Sequence, residues 1–312
     1  VSGEVCVVGS FMMDLVAHAP RRPAPGETLV GSRFAMHLGG KGFNQAVAAS
    51  RAGATTRMVG RLGGDEFGKA FRAAMAAEGV SDASVLLDED AGTGVGLPVV
   101  EPDGQNSIII VPRANTGLAT DHIHRTGDAI VASDVLLLQL ELPVEVAAEA
   151  ARLARAAGRC VVLNPAPAAP LPSGLLADVD VLVPNEVEVT ALAGVPDDPE
   201  RAAHVLRERW GVSLVVTMGA RGVLVLPADG GSHHVAGHEV TAVDTVGAGD
   251  TFCGFLGAAL AHGSALVDAC HRANAAAALA VTRHGSADAA PRAQEVEEFL
   301  GRVSVTPGTV GP

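Results

Sequence analysis

The 312-residue chain contains no tyrosine and a single tryptophan, and aromatic residues make up only 3% of it. Any core must therefore be filled mainly by Val, Leu and Ala, and the apolar fraction of 48% is that of a soluble protein with a substantial interior. Basic residues are also in short supply: 22 Lys and Arg stand against 35 Asp and Glu, a formal charge of −13. Such a surface repels phosphate backbones and anionic lipid, so neither nucleic acid nor membrane is an expected partner. A local amide-lined or basic phosphate site stays compatible with that charge. No uninterrupted apolar run reaches the roughly 18 residues of a membrane span, and no basic-then-apolar leader opens the sequence, so the expected location is cytoplasmic. Cys6, Cys160, Cys253 and Cys270 are far apart, with no CxxC pair and no His spacing suited to zinc. Each lies in an apolar run and reads as a buried free thiol of a reducing compartment.

What is present is a regular alternation of short apolar runs and helical patterns, the signature of a mostly parallel sheet covered on both faces. Core strands are expected at 5–9, 57–60, 135–138, 160–163, 180–183, 214–217 and 222–226. Helices are expected at 42–52, 66–78, 144–157, 199–210, 248–262 and 265–282. Two stretches, about 15–38 and 93–111, carry strand-like alternation without helices and suit antiparallel ribbons forming a small lid. Residues 1–303 thus read as a single α/β domain with that lid. Residues 304–312, with Pro and Gly and no packing pattern, read as a flexible tail.

Four segments carry chemistry. Asp244-Thr-Val-Gly-Ala-Gly-Asp250 runs directly into an apolar helix. Its glycines bare backbone amides at a helix start, a cradle for an anion, and Asp250 in the same turn can take a proton from a hydroxyl beside that anion. This combination suits phosphoryl transfer, although alone it could equally be a Gly-rich turn with a capping Asp. Gly39-Gly-Lys-Gly-Phe-Asn-Gln45 also opens a helix, and it lacks the Gly spacing and the Ser or Thr of a Walker A loop. Lys41 and Asn44 offer donors there to hydroxyls or phosphate, but tight packing alone would explain such glycines. Pro184-Asn-Glu-Val-Glu188 places Asn185 and Glu188 three apart, as on one helical face, where a buried carboxylate could organise water around magnesium. A solvated acidic helix start is the plainer alternative. Thr217-Met-Gly-Ala-Arg-Gly222 is a tight turn between two expected strands that could wrap a nucleotide, as many hairpins could.

Together with Asn164-Pro-Ala-Pro167 and Leu138-Gln-Leu-Glu141, these segments resemble the ribokinase family of carbohydrate kinases, in order and over essentially residues 4–300. The resemblance implies a three-layer α/β/α sandwich with a mostly parallel central sheet and a small β-sheet lid. It implies ATP with magnesium, and transfer of the γ-phosphate to the 5-hydroxyl of a pentose. Asp250 then looks like the catalytic base, and Gly247, Ala248 and Gly249 like the anion hole. Met12, Asp14, Gly40, Lys41, Gly42, Asn44, Glu141 and Asp250 fall where the family holds its sugar. Asn185, Thr217, Met218, Gly219, Ala220, Arg221, Gly222, Gly249 and Asn274 fall where it holds ATP, with Glu188 beside the magnesium waters. A monovalent cation, potassium, would sit near Asp244, Val246, Ala280, Arg283, Gly285 and Ala289. Ala289 stands where ribokinases can have Ser, and most other ligands would be backbone carbonyls. The family's lid ribbons often pair between subunits, which implies a homodimer.

The match departs from the pattern in one place that bears on the substrate. The family's Gly-Ser-x-Asn-x-Asp is here Gly9-Ser-Phe-Met-Met-Asp14, with Met12 in place of the Asn that helps hold the sugar hydroxyls. A hydroxyl facing a thioether loses about 1–3 kcal/mol of compensation, or about 5- to 150-fold in affinity. The family's 2-deoxyribokinases resemble the chain there. Phe43 replaces a common Ala and is expected to add bulk beside the sugar, although both residues could instead pack under the lid. Ribose and 2-deoxyribose are thus close competitors. Other substrates of the superfamily are fructose, a ketodeoxy sugar acid or a nucleoside, the last of which would need aromatics such as Phe11 and Phe43 for the base. A non-catalytic sugar-binding relative would be expected to have lost the base or the anion hole, and both are intact.

Overall fold

The structure is a computed structural model that describes residues 3–103 and 105–305. In chain order the strands are β1 (Glu4–Val8), β2 (Met12–His18), β3 (Arg33–Gly39), β4 (Thr55–Gly63), β5 (Ser81–Asp88), β6 (Gly94–Val100) and β7 (Asn106–Val111). The second half adds β8 (Val135–Leu138), β9 (Cys160–Leu163), β10 (Val181–Leu182), β11 (Ser213–Thr217), β12 (Gly222–Leu226) and β13 (His233–Ala236). Nine strands form one sheet in the order β13-β12-β11-β10-β9-β8-β1-β4-β5, antiparallel only at the β11-β12-β13 edge. The other four form a separate sheet in the order β3-β2-β6-β7.

The continuous apolar runs follow from burial on both faces of the large sheet. Val5 and Val7 of β1 pack into one core, while Cys6 and Val8 between them pack into the other. Leu137, Val162 and Val215 join the first core, and their strand neighbours Leu136, Val161 and Leu214 join the second. Helices Lys41–Arg51, Ala248–Ala261 and Leu266–Ala280 cover the first face, and Val144–Ala156 and Pro199–Trp210 cover the second. The expected three-layer sandwich with a separate small sheet is what the chain forms. The four cysteines are free, and burial pushes the thiols of Cys6 and Cys270 up to about 12.

Because β1, β8, β9, β10 and β11 are mutually aligned, their carboxyl ends open on one edge of the sheet. Ser10, Glu141, Asn164, Asn185 and Thr217 lie at those ends. Gly254 brings the next layer in. A Cβ there would lie 2.5 Å from Ala48 Cβ and 2.6 Å from the Gln45 carbonyl, so its absence lets the Ala248–Ala261 and Lys41–Arg51 helices touch.

Several boundaries differ from the sequence expectation. The first lid strand begins at Met12 rather than 15, and residues 19–32 connect β2 and β3 without strand structure. β5, an alternating edge strand, and the short exposed β13 lacked the apolar runs that marked the others. The helix Ala293–Val305 crosses the expected start of the tail at 304, and residues 306–312 of that tail lie outside the described residues. Among the described residues, no helix is long and apolar enough to cross a membrane.

Candidate active site

The helix Ala248–Ala261 begins at Gly247, whose φ of 74° lies in the left-handed region that favours glycine. Among the described residues no side chain caps this helix start, which leaves the N-terminal end of the dipole uncapped, although the Ala248 amide donates to the Thr245 carbonyl at 3.4 Å. Gly247 is packed tightly, because a Cβ there would lie 2.8 Å from Ser286 Cα. Gly249 is the opposite case: a Cβ would meet nothing within 4 Å. The turn is thus fixed from behind and open in front.

Asp250 sits in this first turn and is buried, at 6% exposure. Its Oδ2 accepts a hydrogen bond from Asn44 Nδ2 at 3.0 Å, and its Oδ1 accepts one from Gln45 Nε2 at 3.1 Å. Both donors come from the Lys41–Arg51 helix, so the two glycine-rich segments meet at one carboxylate. Glu141 ties the second segment to β1, since its Oε2 accepts from both Ser10 Oγ and the Lys41 backbone amide, the latter at 2.8 Å. The charge of Asp250 holds the Lys41 ammonium above its usual range against the opposing effect of burial, with smaller help from Glu141 and Glu188. Asp14, half-buried on β2, is pushed up to about 6 by burial and then by the Glu141 charge.

Asn185 is not in a helix but caps one. Its Oδ1 accepts from the Glu188 amide at 2.8 Å, and Glu188 Oε2 accepts from the Asn185 amide at 2.9 Å. The pair that spacing alone put on one helical face is therefore a reciprocal capping box. Burial raises the Glu188 carboxyl, as does the Asp250 charge, against the lowering effects of the Asn185 amide and Lys41.

Two cavities adjoin here. One of about 380 Å³ is mostly apolar and lies between the Gly219–Gly222 turn, Phe252 and Asn274. The other, about 220 Å³, is polar and is bordered by Lys41, Asn185, Glu188, Gly247 and Asp250. Thr217, Thr245 and Gly249 border both. Thr245 had no role assigned from sequence, although it lies inside the Asp244–Asp250 motif. The loop at 237–242, which closes the larger cavity, carries no motif that would mark it.

Some expected residues stand elsewhere. The Met218 side chain is in the core beneath the turn, and Arg221 pairs outward with Glu186, so neither borders these two cavities. The Phe43 ring, expected beside the sugar, is buried edge-to-face against Phe71 at 4.9 Å, with Phe11 packed on the same pair. The hydrophobic effect at the first face of the sheet claims these rings. Met12 is buried with its sulfur 3.6 Å from Asn115 Nδ2. Asn274 donates to the Ala236 carbonyl at 2.8 Å from the wall of the larger cavity.

Asp244 joins two segments by accepting from the Val246 amide at 3.0 Å and the Gly285 amide at 3.1 Å. The Ala280 carbonyl accepts from the Arg283 amide at 3.0 Å, and Ala289 is buried nearby in sequence. Both Asp244 oxygens and the Ala280 carbonyl thus already accept backbone amides.

Comparison with known proteins agrees with this geometry. Residues 2–293 match the pfkB family of carbohydrate kinases. The chain is 38% identical over 298 residues to ribokinase of Haemophilus influenzae, covering 94% of this chain and 97% of that protein. It is 32% identical over 302 residues to deoxyribokinase of Salmonella typhimurium, covering 95% and 98%. Among solved structures, ribokinase of Thermotoga maritima superposes with a TM-score of 0.88 at 34% identity, covering 96% of this chain and 99% of that one. Arabidopsis thaliana ribokinase complexed with ribose and ATP superposes with a TM-score of 0.89 at 30% identity, with the same coverage. Matched along nearly its whole length, the chain belongs to the pfkB family of carbohydrate kinases.

Proposed function

We propose that this ATP-dependent sugar kinase transfers the γ-phosphoryl group of ATP to the 5-hydroxyl of ribose or 2-deoxyribose, with Asp250 as general base. The observation that carries the reading is the run of an apolar cavity into a polar one that ends at the Asp250 carboxylate. Its support from relatives is that they are named ribokinase and deoxyribokinase, and that one was solved with ribose and ATP.

In this reading the larger cavity takes the adenosine, and the phosphates run past Thr217 and Asn185 to the amides at Gly247, Ala248 and Gly249. Asp250 accepts the proton of the sugar hydroxyl as that oxygen attacks the γ-phosphorus. The new P–O bond forms as the bond to the bridging oxygen breaks, and the electron pair leaves with ADP. Charge that grows on the transferring group is met by the first-turn amides and by Lys41. Asp14, Asn44, Glu141 and the Gly40–Gly42 backbone hold the sugar.

Glu188 spends Oε2 on the Asn185 amide and turns toward the polar cavity, which fits a carboxylate holding magnesium through water. Magnesium bound there would neutralise β- and γ-phosphate oxygens. Potassium would take Asp244 with carbonyls of Val246, Ala280, Arg283, Gly285 and Ala289, oxygen donors of the kind a hard cation prefers.

A homodimer through the lid is supported by the apolar side chains this sheet leaves exposed. Met36, Leu97 and Ile109 fall on one face and are between 38% and 66% exposed. Asp14 and Gly96 occupy the other face. The nucleoside alternative is disfavoured because Phe11 and Phe43 are both sealed in the core and cannot stack a base. A coupled assay of ADP formation with ribose, 2-deoxyribose, fructose and adenosine tests the reading. Turnover with a pentose is expected, and turnover confined to fructose or adenosine would overturn it.

A further inference from the structure

We infer that Gln45, locked by Gln139, is a positioning residue that fixes the orientation of the Asp250 carboxylate for proton transfer. The inference rests on the reading of Asp250 as the base. Gln45 is 1% exposed and Gln139 is 2% exposed, so neither amide has access to solvent. Gln45 Nε2 donates to Asp250 Oδ1 at 3.1 Å and lies 3.4 Å from Asn164 Oδ1. Gln45 Oε1 accepts from Gln139 Nε2 at 2.6 Å. An ionised carboxylate only accepts, so Asp250 draws the NH2 end of Gln45 and leaves Oε1 for the Gln139 NH2, while Gln139 Oε1 is buried with no partner among the described residues. The Gln139 bond at Oε1 then holds Gln45 in that orientation.

Asn44 holds the other carboxylate oxygen, so the plane of the carboxylate is set by two donors at opposite corners. Each oxygen still has a lone pair for a substrate hydroxyl. Gln45 makes bonds at both ends of its amide, which offsets the cost of burying it, whereas Gln139 is bonded through Nε2 alone. A packing role alone would be served by leucine or methionine at either position. The chain Gln139–Gln45–Asp250 links the end of β8 to the first turn of the Ala248–Ala261 helix through side chains only.

The test compares Gln45→Met, Gln45→Glu, Gln139→Met and Asp250→Asn, using steady-state kinetics from pH 5 to 9 and thermal melting. Gln45→Met should lower kcat by roughly ten- to a hundredfold, the cost of a small misplacement. KM for ATP and for the sugar should change little. Removing a donor to the carboxylate should also move the acid limb of the kcat profile upward by about one pH unit. Gln45→Glu keeps the size and the acceptor for Gln139 but sets a second carboxylate against the first, so at neutral pH it should lose more activity than Gln45→Met. A role in packing alone predicts the reverse order and an unmoved acid limb, and that result overturns the inference. Should Gln45→Met fail to fold, Gln139→Met decides, because it frees Gln45 to rotate. A smaller fall in kcat with the same acid-limb movement supports the inference, and wild-type kinetics overturn it. If Asp250→Asn keeps near-full turnover, the reading of Asp250 as base has failed, and the inference with it. If only the glutamine variants behave as wild type, that reading survives alone.

Discussion

Asn44 donates to Asp250 across 206 residues of chain, at 3.0 Å. One bond thereby joins the two helix starts that the sequence marks most strongly. It requires the helices Lys41–Arg51 and Ala248–Ala261 to approach closely, which Gly254 permits. The same contact puts Lys41 near enough for the Asp250 charge to dominate its protonation. In the proposed reading, the first turns of two touching helices serve the sugar hydroxyl, the carboxylate base and the anion cradle.

The Gly247-Ala-Gly249 turn supplies a contrast between neighbouring glycines. Gly249→Val has room in the protein itself, so melting should be near wild type while turnover is severely reduced by crowding of the phosphate. Gly247→Val meets Ser286 and a φ of 74°, so it should destabilise the fold as well. Normal kinetics in a folded Gly249→Val would show that this turn does not hold the transferring group.

If Asp14 holds the sugar as proposed, sugar binding should depend on pH. Its folded pKa of about 6 lies above the ordinary 3.8, so the folded state favours the neutral carboxyl. That contribution to stability is present at low pH and is lost as pH rises through about 6. The ionised form is the better acceptor for sugar hydroxyls, so KM for the pentose should fall between pH 5 and 7 while KM for ATP stays flat. Asp14→Asn should flatten the sugar profile, and it should raise the melting temperature relative to wild type more at pH 8 than at pH 4.5. A sugar KM with no pH dependence in the wild type would contradict this role.

Met12 bears on ribose against 2-deoxyribose. It shares a sheet face with Asp14, two residues on, yet its sulfur lies 3.6 Å from Asn115 Nδ2. Met12→Asn offers an amide where the thioether offers none, and kcat/KM for ribose over 2-deoxyribose should rise by up to roughly one to two powers of ten. An unchanged ratio would mean that Met12 only packs against Asn115.

The sequence made the two helix starts and the parallel strands legible because both are local. Glycines that bare amides and unbroken apolar runs need no knowledge of what lies opposite. The aromatic cluster of Phe11, Phe43 and Phe71 was not legible, since nothing local tells a ring turned to the core from one turned to a ligand. The side-chain directions of Met218 and Arg221 were not legible for the same reason: a turn motif fixes the backbone and leaves side-chain direction to its surroundings. β5 and β13 lie at the two edges of the large sheet, where burial is one-sided or slight, so the apolar signal was weak. Gln45 stood within a recognised motif, but its partner Gln139 is 94 residues away and only the fold pairs them.

The central claim is that Asp250 removes the proton from the attacking hydroxyl, and Asp250→Asn tests it most directly. The asparagine keeps nearly the same shape, and the Gly247–Gly249 turn is untouched. With a pentose and ATP, kcat should fall by roughly two to four powers of ten, the usual worth of a general base. ATP binding, followed by direct titration on the same variant, should remain close to wild type. A folded Asp250→Asn protein with near-full turnover would contradict the account.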